Sequence, residues 1–135
     1  MCEPTVSKDS LTGLIERVAK TVDSGPRISN RELIDLCRDF RVFEATDDSH
    51  IFHEIAETAL NSLIQKKYGS ELLTKLDPVE AVSTVLKPLQ ERLPTQTWRS
   101  ENQITFQQFS TPAAIAYLAA YILNIRLGET VLEPS

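Results

Sequence analysis

Two histidines and an acid stand close together in His50-Ile51-Phe52-His53-Glu54. A zinc site on one helix wants ligands at i and i+4, as in an intact His-Glu-x-x-His. Here the histidines are spaced i, i+3 and a third ligand is missing. The pattern reads as helix-start packing, and no metal ligand is assigned. Neither histidine has a supported nucleophile partner, so no catalytic residue is assigned either. Arg27, Arg31, Arg38 and Arg41 recur over a short stretch, and Lys66-Lys67 follow later. Such a face could touch DNA phosphates, and residues 28–43 could form half of a helix-turn-helix. Glu32, Asp35, Asp39 and Glu44 interleave with the arginines, and alternating charge is the signature of a solvated helix face. Trp98 beside Arg99 could stack on a base, although aromatic anchors in loops more often pin the loop to the core.

The elements that would position these residues read mainly as helices. Residues 1–9 carry Pro4 and no periodicity, and are expected to be a flexible tail. Ser10 is a candidate N-cap for a first helix whose apolar face is Leu11, Leu14, Ile15, Val18 and Val22. Ser24-Gly25-Pro26 ends it. Ser29 and Glu32 have the spacing of a capping box that opens a second helix. A third helix is predicted over 49–68, with Gly69 as its stop signal and Lys66-Lys67 suited to its negative pole. Asp77-Pro78-Val79-Glu80 is a strong helix start, and Pro88 should kink or end that fourth helix near Lys87. Thr111-Pro112 opens a fifth helix ending near Asn124. Between Ala113 and Leu123 its only side-chain polar atoms are two tyrosine hydroxyls. A helix apolar all round is expected to be buried all round. Leu127-Gly128-Glu129 reads as a turn, and Thr130-Val131-Leu132-Glu133 as the start of a strand.

Composition limits the classes. The chain has 135 residues, is 41% apolar and 24% charged, and carries a net charge of −5. That is one domain's worth of material, without a basic footprint for nucleic acid over the whole chain. Cys2 and Cys37 do not make a disulfide framework or a metal pair. No apolar segment follows a basic start, so no secretory signal is expected. The longest apolar run is too short for a lipid span of about 20 residues, so no membrane partner is expected. The reading is a reduced, cytoplasmic protein.

The segment Phe106-Gln107-Gln108-Phe109-Ser110-Thr111-Pro112, then the alanine-rich helix, then Thr130-Val131-Leu132-Glu133-Pro134-Ser135 resembles the entry to a class I S-adenosylmethionine-dependent methyltransferase. It is most similar to N6-adenine DNA methylases, and more narrowly to bacterial, phage and plasmid proteins that join such a methylase to a strawberry-notch-type helicase. In that family a Phe-x-Thr-Pro-like element precedes a helix that leads into the first strand. The strand ends in an acid and a proline, and a glycine-rich loop then holds the cofactor. The resemblance covers residues 106–135.

Carried onto this chain, the resemblance implies a cofactor-binding set of Phe109, Thr111, Pro112, Glu133 and Pro134. Ligands of open α/β sheets sit outside the carboxyl ends of strands, which is where Glu133 would stand. The intact parent would transfer a methyl group from S-adenosyl-L-methionine to an adenine amine of DNA. This chain contains neither the glycine-rich loop nor the Asn-Pro-Pro-aromatic or Asp-Pro-Pro-aromatic tetrapeptide that holds the target amine. Asp77-Pro78 is followed by Val79 and is a helix cap. The polypeptide alone is therefore expected to be inactive and not to bind the cofactor tightly. The expected fold is mainly α, a helical bundle of about five helices followed by a short C-terminal strand. The expected domains are a helical domain over 10–105 and the start of a truncated methyltransferase domain over 106–135, which holds the fifth helix and the strand. The alternatives are a free-standing helical interaction module, docking a partner or a second copy through Ala113–Leu123, and a small DNA-binding regulator.

Overall fold

The computed structural model describes residues 8–42, 49–95 and 111–132. They are mainly helical, as expected, and among them there is no strand.

Helix α1 spans Lys8–Ser24. Ser10 lies inside it, not at its cap. Leu14, Val18 and Val22, one helical turn apart, are fully buried. Helix α2, Asn30–Asp39, opens with the predicted capping box. The Ser29 hydroxyl accepts from the Glu32 amide at 3.2 Å, and the Glu32 carboxylate accepts from the Ser29 amide at 2.7 Å. Its far end is a Schellman turn. Arg41 takes the left-handed conformation at φ 53°, and the Val42 amide donates to the Cys37 carbonyl at 3.2 Å.

Helix α3, Ser49–Leu63, packs mainly on α1. Ala56 and Ala59 are fully buried in the same apolar cluster as Leu14, Val18 and Val22 of α1. The Phe40 ring packs against α1 at Gly13, where a Cβ would stand only 3.1 Å from it.

Beyond α3 the chain departs from the expected stop at Gly69. A π-helical turn, Ile64–Tyr68, runs directly into α4, Gly69–Thr74. Gly69 is right-handed helical, at φ −54° and ψ −44°. A glycine permits a left-handed stop but does not impose one, and continuing the helix buries Leu72. Asp77 caps α5, Pro78–Glu80, by accepting from the Glu80 amide at 3.0 Å. A second π-helical turn, Ala81–Leu86, follows and passes into α6, Lys87–Glu91. Pro88 does not end the helix. It sits in the first turn of α6, just after a wide turn. There its missing N–H and its ring, which would crowd the carbonyl four residues back in a regular helix, are accommodated.

Helix α7 is Ala113–Leu123. Asn124 caps it in the left-handed conformation at φ 50°. Leu127-Gly128 forms the predicted turn, with Gly128 at φ +88°. Across it the Glu129 amide donates to the Arg126 carbonyl at 3.1 Å, and the Glu129 carboxylate accepts from the Arg126 amide at 2.8 Å. The strand expected from Thr130 is not seen: Thr130 to Leu132 are irregular and exposed. A strand is stabilised by a paired neighbour, and no described segment runs beside this one as a strand.

Two apolar clusters hold the helices. The larger joins α1, α2 and α3 with Leu89 and Leu93. The smaller is Leu72, Ala81 and Leu86. Ile64, Tyr68 and Val85 pack against both. Among the described residues no helix is long and apolar enough to cross a membrane.

Candidate functional site

Of the five residues expected at a cofactor site, the structure describes two. Thr111 and Pro112 are exposed at the start of α7, and the Pro112 carbonyl accepts from Ile115 and Ala116 at 2.9 and 3.0 Å. Phe109, Glu133 and Pro134 lie outside the described residues. So do Trp98 and Arg99.

Helix α7 itself is where the expectation is corrected. Apolar on all sides, it is covered on one side only. Ala113, Ala114, Tyr117 and Leu118 are half-buried, and none of its residues is fully buried. Ala113 reaches the larger cluster, and Ala114 and Tyr117 the smaller. Tyr117 fixes the helix: its hydroxyl donates to the Leu72 carbonyl at 3.1 Å, and its ring lies 6.2 Å from that of Tyr121. Partial burial pushes the Tyr117 hydroxyl pKa above its ordinary value. The opposite side carries Ile115, Ile122 and Leu123, at 56%, 79% and 65% exposure. Downstream, Leu127, Val131 and Leu132 are also exposed. Composition sets how apolar a helix is; how much cover it finds depends on what surrounds it.

Beneath the inward side of α7 lies an apolar groove of about 270 Å³. Ile64 and Leu72 form one wall, Leu86 another, and Ala113, Ala116 and Tyr117 the third. Each π-helical turn thus contributes a side chain. Sequence periodicity could not find it, because the groove exists only where two irregular turns meet a helix distant in the chain.

A polar cluster ties the bundle together on another face. The Lys67 ammonium donates to both Asp23 carboxylate oxygens at 2.8 and 2.6 Å, and the Tyr68 hydroxyl donates to the same carboxylate at 2.9 Å. The Lys67 hydrogen bonds hold the Asp23 pKa below its ordinary value, against partial burial that pushes it up; Tyr68 adds to the lowering. Arg92 donates to the Val22 and Asp23 carbonyls at 2.8 and 3.1 Å, satisfying the end of α1. Its own carbonyl accepts from the Ile28 amide at 2.8 Å. Lys67 therefore does not serve as the terminal charge of a helix, as its position suggested. Every partner in this cluster is a group of the bundle itself, and the arrangement is that of a clamp.

His53 is buried in α3. Among the described residues no three His, Cys, Asp or Glu side chains come together as metal ligands. Cys37 is buried, and burial pushes its thiol pKa up to about 11, far from a reactive thiolate. Arg27 is held by the Thr95 hydroxyl, and Arg38 pairs with Asp35 at 3.9 Å.

Compared with known proteins, the chain matches no family model, no curated protein and no solved structure.

Proposed function

We propose that this chain is the N-terminal helical part of an N6-adenine DNA methyltransferase-like protein, of the kind joined to a strawberry-notch-type helicase. Its role is to present α7 as the seat for an S-adenosylmethionine-binding α/β unit. The observation that carries this reading is the one-sided burial of α7. Its inner side is anchored by Tyr117, while Ile115, Ile122 and Leu123 face solvent. Exposed apolar surface of that kind marks an interaction face. The Phe109-Ser110-Thr111-Pro112 motif just before the helix, and Val131-Leu132-Glu133-Pro134 after it, resemble the family elements that enter such a unit. On this reading Thr111, Pro112 and Glu133 contribute to a cofactor site completed by other parts of the parent, and the chain alone neither methylates DNA nor binds the cofactor tightly.

The coding sequence after the Ser135 codon tests the proposal. An open frame, in register or displaced by one frameshift, that encodes a glycine-rich loop and an Asn/Asp-Pro-Pro-aromatic tetrapeptide is expected. Unrelated sequence in all frames overturns it. In that case the exposure of α7 favours the second reading, a helical module that docks another protein.

A further inference from the structure

We draw no further inference here: the strongest candidate, the outward apolar face of α7 formed by Ile115, Ile122 and Leu123, is unpartnered and nothing in the structure shows what covers it.

Discussion

The Tyr117 hydroxyl donates to the backbone carbonyl of Leu72 across 3.1 Å, joining residues 45 positions apart. Leu72 lies in the helical turn that follows the first π segment. One hydrogen bond therefore fastens the exposed helix to the irregular part of the bundle. Replacing Tyr117 by Phe keeps the ring and removes the bond. The expected cost is about 1 kcal/mol, read as a lower urea midpoint. Faster amide hydrogen exchange in α7 than in α1 should accompany it. Unchanged exchange in α7 would show that packing alone holds the helix.

Leu86 is fully buried in the smaller cluster and walls the groove under α7. Leu86→Ala should destabilise the chain by about 2–5 kcal/mol, the usual cost of a cavity in a packed core. Denaturant unfolding checks this. A loss below about 0.5 kcal/mol would mean that the site is loosely packed in solution.

The outer side of α7 should behave differently. Ile122 is 79% exposed, so Ile122→Lys should leave the stability of the isolated chain within about 0.5 kcal/mol. Circular dichroism during thermal melting measures it. A large loss would place Ile122 inside the folded monomer and remove the main support for a docking role.

Asp23 gives a prediction in pH. Its folded pKa is lowered, first by the Lys67 hydrogen bonds. The clamp's contribution is therefore fully present above the unfolded value of about 3.9. It is lost as pH falls through the lower folded value. Asp23→Asn should be less stable than the parent at neutral pH, with the gap closing once pH drops below about 4. A gap that persists undiminished at pH 2 would show that the carboxylate's charge is not its source.

Arg41 sits at φ 53° in the turn that ends α2. An L residue there carries strain of about 1–2 kcal/mol that glycine does not, offset by about 0.5–1 kcal/mol of extra chain freedom in the unfolded state. Arg41→Gly should raise stability by roughly 0.5–1 kcal/mol, whereas Arg41→Ala should give no gain. Equal effects of the two would point to the arginine side chain instead of the backbone.

What could be read from the chain beforehand was what local chemistry decides. The Ser29–Glu32 box and the Asp77-Pro78 cap are set within four residues, and both stand as expected. Of the face expected for α1, Leu14, Val18 and Val22 are buried as their spacing implies, while Ile15 is half-buried and Leu11, in the first turn, is exposed. Gly69 does not stop its helix, because continuing it buries Leu72, and Pro88 does not end the next one, because a wide turn precedes it. The Asp23–Lys67 pair joins residues 44 apart, a separation at which no spacing rule operates. The strand expected at Thr130 depended on a pairing partner, and residues that favour extended backbone do not supply one. Phe109, Glu133 and Pro134 lie outside the described residues, so the expected cofactor set is represented by Thr111 and Pro112.

The segment Ile64–Tyr68 also has a bearing on how the chain tolerates changes in length. A π turn carries roughly one residue more than an ordinary turn, and in a regular helix one residue corresponds to about 100° of rotation. Losing a single residue there would restore a regular spiral, so the backbone could accept the deletion. Everything downstream would then be swung around the axis, Leu72 out of its nest and Lys67 or Tyr68 off Asp23. In this molecule the azimuth of the chain beyond α3 is set by one surplus peptide unit.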